Sequence, residues 1–186
     1  MFGEKTQMVF RFAKSIKGAI DGKKRIVFAC IGSDRSTGDS LGPLVGHMLS
    51  SRLRRYDEFE IVGTLKEPLH ALNLDKFHQH YTASDCFVVA IDASLGRTDE
   101  VGRIVLRSGG LRPGAGVGKD IASVGNISIY GVVNVGSALG MENMVLQCTR
   151  LGLVYEMAEE ITNIIATGIY ISKSNNQAYL DMIETE

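Results

Sequence analysis

Two aspartates stand where an α/β sheet would present them to solvent together. Asp39 follows the apolar run Ile26–Ile31 by a short polar loop, and Asp92 directly follows the apolar run Cys86–Ile91. A carboxylate at a helix N-terminus is held ionised by free N–H groups and the macrodipole, which is the environment expected for Asp39. A carboxyl at the end of an apolar strand is partly buried, which raises its pKa, and that is the environment expected for Asp92. Two carboxyls with pKa values pushed apart can supply one base and one acid. Such a pair can activate water and protonate a leaving amine in the hydrolysis of an acyl bond. Asp can also serve as a plain helix cap or turn residue, so pattern alone leaves both readings open. Around the pair, Asp34 shares the loop of Asp39, and Glu67 lies just beyond a second strand as an accessory candidate. Asn134, near the end of a late strand, is placed either to hold substrate backbone or to pair with a loop carbonyl.

The elements that must position these residues follow from periodicity. Ile26–Ile31 and Cys86–Ile91 are fully apolar and read as strands buried on both faces. Residues 60–65, 103–107 and 127–135 read as three more, with Arg103 and Arg107 marking an edge strand. Leu41, Leu44, Val45, Met48, Leu49 and Leu53 form one helical face, and Pro43 is tolerated in its first turn. A shorter helix spans 72–77. Val154, Met157, Ala158, Ile161, Ile164 and Ile165 mark a closing helix. Alternation of this kind predicts one α/β domain over residues 23–186 with a mostly parallel sheet. Residues 1–22 are expected to form a basic amphipathic helix packed on that domain. Ligands of open parallel sheets bind beyond the carboxyl ends of the strands, where winding reverses. In the 2-1-3 order, that crevice collects the ends of the first and third strands, hence both aspartates.

Composition narrows the class. The chain has 186 residues, enough for one domain with a real core. Twenty Lys and Arg against 21 Asp and Glu give a net charge of -1, which argues against a nucleic-acid partner. The longest apolar runs fall far short of a bilayer span, and no secretory leader pattern opens the chain. Three widely spaced cysteines without a CxxC pair fit a reducing compartment, so a cytoplasmic location is expected. Twelve of the 21 glycines lie between Gly96 and Gly152, which points to a tightly turned segment in the second half. Gly114-Ala-Gly116-Val-Gly118-Lys119 is neither a Walker loop nor a dinucleotide fingerprint. It reads as a loop edging a site, with Gly114 and Gly116 able to meet substrate backbone. His70, His78 and His80 read as surface residues around a short helix. No cofactor or metal is expected, and the serine and cysteine nucleophile patterns are absent.

The stretch Cys30-Ile-Gly-Ser-Asp-Arg-Ser-Thr-Gly-Asp-Ser-Leu-Gly-Pro-Leu-Val45 resembles the signature of the YyaC-type sporulation proteins. Those proteins are similar to the spore germination protease and, more distantly, to the hydrogenase maturation proteases. The germination protease has a Gly-Asn loop leading to Asp-Ala-Leu-Gly-Pro, and an Ala-Ile-Asp-Ala like Ala90–Ala93 here. Its His-Pro-Gly-Ser-Gly-Val-Gly is similar to the segment from Arg112 to Gly118. The resemblance covers about residues 26–135. It implies a phosphorylase/hydrolase-like three-layer α/β sandwich and a site-specific endopeptidase acting on a protein substrate during sporulation. It carries the proposed catalytic pair of the germination protease onto Asp39 and Asp92. Arg112 replaces the His of the third motif and becomes a substrate-contact candidate. Hydrogenase maturation proteases recognise nickel with two acidic residues and a His, and this chain has no His after His80. A non-catalytic binding or scaffold protein of the same fold and an acidic metal-recognition module are the alternatives. The oligomeric state is open, a homo-oligomer among the options.

Overall fold

The computed structural model describes residues 3–70, 72–82, 85–113, 123–136 and 140–174. Five strands form one sheet: β1 Arg25–Cys30, β2 Phe59–Val62, β3 Cys86–Gly96, β4 Ile104–Ser108 and β5 Ile127–Val135. Their order is β2-β1-β3-β5-β4, all parallel except β4, which runs antiparallel on the β5 edge. The expected 2-1-3 order is therefore present, and β4 is the edge strand that its flanking arginines indicated. Five α-helices accompany the sheet: α1 Glu4–Asp21, α2 Leu41–Arg52, α3 Leu74–Thr82, α4 Glu142–Gln147 and α5 Leu151–Lys173.

Side-chain alternation along the central strands sorts the core into two layers. Ile26, Phe28, Val89, Ile91, Ile129 and Val133 face α1, α2 and α5. Val27, Ala29, Val88 and Ala90 face Leu74, Phe77 and Tyr81 of α3. The result is a three-layer α/β sandwich. Phe12 and Ile16 of α1 are completely buried in the same core as Ile161 and Ile165 of α5. The basic N-terminal helix thus packs on the sheet domain with its lysines outward, and Lys5 pairs with Glu160 at 2.8 Å. No helix among the described residues is long and apolar enough to cross a membrane.

Three features depart from the sequence reading. β3 does not end at Ile91 but runs on to Gly96, because β5 supplies a partner as far as Val135. Asp92 consequently lies within a strand. α4 breaks no periodicity rule but is only six residues long, too short to announce itself by pattern. Among the described residues, which leave out Gly114, Gly116 and Gly118, the glycines under the tightest steric constraint lie in the first half of the chain. A Cβ on Gly42 would overlap the Ile31 carbonyl oxygen, and one on Gly46 would overlap that of Gly63. These two residues, one turn apart on α2, let the helix rest directly on backbone at the carboxyl ends of β1 and β2.

Candidate functional site

The close seating of α2 fixes where Asp39 lies. After Ile31 the chain turns at Gly32, whose φ of +140° is available to glycine and strained for other residues. A Cβ there would strike the Asp39 carbonyl oxygen. Ser33 then donates its N–H to that same carbonyl at 3.0 Å, closing the loop from residue 33 to residue 39. A 3-10 turn, Gly38–Ser40, carries Asp39 into the start of α2. Its Ser40 hydroxyl donates to the Thr37 carbonyl at 2.6 Å. Neither the turn nor α2 has a side-chain cap, so the Asp39 carboxyl is not spent on capping.

Asp92 approaches from the neighbouring strand. It is paired with Tyr130 of β5, and its Oδ1 accepts the Ala93 N–H at 2.8 Å. Burial lifts its carboxyl well above the ordinary value of 3.8, and the negative charge of Asp39 lifts it further. Asp39 is also raised by desolvation, against the opposing pull of the Ser33 N–H and of His70. The expected depression of Asp39 by the helix N-terminus is therefore overturned: loss of water outweighs the favourable dipole. The expected contrast between the two survives in a different form. Asp92 holds its proton more firmly because it is more deeply desolvated and feels its neighbour's charge. Neither aspartate forms an ion pair among the described residues.

His70 is the residue that sequence reading passed over. Leu69 extends the β2 side by bridging to Ile31, and its carbonyl accepts the Gly32 N–H at 2.9 Å. That bridge delivers the next residue, His70, to the mouth of the crevice, where it interacts with Asp39. Its ring is oriented by backbone, Nδ1 accepting the Leu72 N–H at 3.3 Å. Its own N–H is held by Asn73 Oδ1 at 2.8 Å. The rule that residues just past strand ends line the crevice points to Glu67, three residues short of His70.

The remaining candidates separate clearly. Glu67 is exposed in a turn made with Thr64, whose hydroxyl accepts its N–H at 3.2 Å. Asp34 and Arg112 are exposed. Gly114 and Gly116 lie outside the described residues. Asn134 is committed internally: its side-chain amide donates to the Val145 carbonyl at 3.2 Å and to Thr149 Oγ1 at 3.1 Å. It ties α4 to the top of β5, its partners being a helix carbonyl and a threonine hydroxyl rather than the expected loop carbonyl. Cys30 is fully buried, which pushes its thiol far up and makes it inert. Among the described residues no three His, Cys, Asp or Glu side chains gather to hold a metal ion.

A family model described as a protein of unknown function, DUF1256, matches residues 2–164. The chain belongs to this family. The uncharacterized protein YyaC of Bacillus subtilis (strain 168) is 48% identical over 151 residues, covering 80% of this chain and 70% of that protein. Among solved structures, a [NiFe] hydrogenase maturation protease, HycI from Thermococcus kodakarensis KOD1, is 20% identical with a TM-score of 0.44. That match covers 81% of this chain and 97% of HycI. Asp39 and Asp92 both lie within the residues that this DUF1256 model matches.

Proposed function

We propose that the protein is a peptidase of the germination-protease type that hydrolyses a peptide bond of a specific protein with Asp39 and Asp92. The observation that supports this most is the pair itself. Two carboxyls share a desolvated crevice without a cation, and such a pair retains one proton between them. Asp92, lifted further, is the member that holds it. Asp39, helped by the Ser33 N–H and His70, is the member that ionises. In hydrolysis the oxygen of a water bonds to the carbonyl carbon while the water proton passes to the Asp39 carboxylate. The proton of Asp92 passes to the amide nitrogen as the carbon–nitrogen bond breaks, leaving a carboxylic acid and an amine. Transfer of the proton from Asp39 to Asp92 restores the starting state.

The test is incubation of the purified protein with a lysate of sporulating cells, followed by mapping of new chain termini, beside Asp39→Asn and Asp92→Asn. New termini that depend on both aspartates are the expected result. Cleavage that survives both substitutions overturns the mechanism, and absence of cleavage by any form favours the binding-protein alternative.

A further inference from the structure

β3 has two neighbours along its lower half and one along its upper half. β1 ends opposite Ile91, where Ile31 donates its N–H to the Ile91 carbonyl at 2.7 Å. β5 continues alongside β3 to the Gly96–Val135 pair. Backbone groups of alternate residues in a strand point to the same side, so those of Ala93 and Leu95 point where those of Ile91 do. Gly96 points the other way, its carbonyl accepting the Gly136 N–H at 2.8 Å. Among the described residues no strand lies beside Ala93 and Leu95 on the β1 side. The segment from Asp92 to Gly96 is only half-buried, so this edge is reachable.

The Asp92 carboxyl is turned to the same side, because it takes the Ala93 N–H. The Leu95 carbonyl is met by the Ser94 hydroxyl at 3.1 Å. The Ala93 carbonyl and the Leu95 N–H are left as one acceptor and one donor spaced for an extended chain. The loop that leaves β1 adds a second unmet group: the Ser36 hydroxyl is buried without a hydrogen-bond partner. Buried polar groups are nearly always paired, so one left over in the loop that follows β1 calls for a partner.

We propose that this edge receives an extended segment of the substrate protein as an added strand, in the position that β1 vacates beyond Ile31. Strand addition gives affinity through main-chain hydrogen bonds and requires an unfolded segment rather than a helix. It also brings substrate backbone close to Asp92, since Ala93, whose carbonyl is one of the docking groups, directly follows that residue in sequence. The inference takes its substrate class from the peptidase reading, but its geometry stands on the register alone.

The probe is an equimolar pool of random-sequence decapeptides, added to the turnover-blocked Asp39→Asn/Asp92→Asn protein. A control pool carries N-methyl groups on alternate peptide bonds. Amide hydrogen exchange, read residue by residue by NMR, is expected to slow about tenfold at Leu95 with the first pool, the worth of one added hydrogen bond. The methylated pool is expected to leave Leu95 unchanged. Peptide binding that leaves Leu95 unprotected, or absence of binding, overturns the proposal. Cleavage of lysate proteins by the wild type together with an unprotected Leu95 removes strand docking and keeps the peptidase. Protection of Leu95 without cleavage in the lysate removes the peptidase and keeps the docking edge.

Discussion

The two ends of the parallel sheet treat charge in opposite ways. At the amino end several ions have partners: Arg25 pairs with Glu60 at 3.3 Å, and Lys24 with Asp85 at 2.7 Å. Lys173 pairs with Glu58 and also lies over the Tyr56 ring at 4.6 Å. The Tyr81 hydroxyl donates to Glu60, which together with burial pushes the phenol up. At the carboxyl end, two acids are pressed together, desolvated, with no cation paired to either. Stable folding favours the first arrangement and penalises the second. The proposed chemistry draws on that second arrangement: charge-bearing residues alone do not mark a candidate site, and their lack of complement does more to do so.

The comparison is most easily broken by removing the acids. Asp92→Asn is expected to lower turnover of a lysate-derived substrate by about 10²–10⁴-fold while leaving the far-UV circular dichroism unchanged. A comparable collapse of fold and activity would make Asp92 architectural. Next in size is the seat beneath the site. Gly42→Ala forces α2 off the Ile31 carbonyl and is expected to cost about 3 kcal/mol. Calorimetry would read this as a fall in Tm of roughly 6–12 °C. A smaller effect is expected in the pH dependence of stability. Asp92 has a folded pKa raised above 3.8, so the folded state binds its proton more tightly than the unfolded chain. Stability from this group is intact below that value and declines as pH rises through the folded pKa. Tm measured against pH should therefore slope downward more steeply in the wild type than in Asp92→Asn.

His70→Gln sharpens the upper end further. Removing the group that lowers Asp39 is expected to move the acid limb of the pH–rate profile upward, with the alkaline limb, set by Asp92, unmoved. Movement of both limbs or of neither would count against a pairing between His70 and Asp39. The smallest effect belongs to the amino end. Lys173→Ala is expected to cost about 1 kcal/mol, since exposed ion pairs and cation–π contacts are each modest, with activity unchanged.

How far these features were legible follows from their range. The order of the strands and the meeting of Asp39 with Asp92 were readable, because apolar runs fix the strands and winding rules fix their carboxyl ends. The sign of the Asp39 shift was not, because desolvation depends on what α2 and the strand ends bury together, and no local pattern records that. His70 escaped because its place is set by one bridge between Leu69 and Ile31, a pairing too short to have a period. The densest glycines, Gly114 to Gly118, lie outside the described residues, while the role of Gly42 and Gly46 on α2 is visible only against the carbonyls of other elements.

The contact between α1 and α5 sets the order in which this molecule can be completed. Phe12 and Ile16 bury against a helix encoded well over a hundred residues later, and the Ser172 hydroxyl donates to the Ala13 carbonyl at 2.9 Å. During synthesis α1 leaves the ribosome with an apolar face uncovered, well before its cover is made. The sheet can assemble in the meantime, but this side of it stays open until α5 emerges. Completion of the crevice is thereby tied to the translation of a helix that contributes neither aspartate.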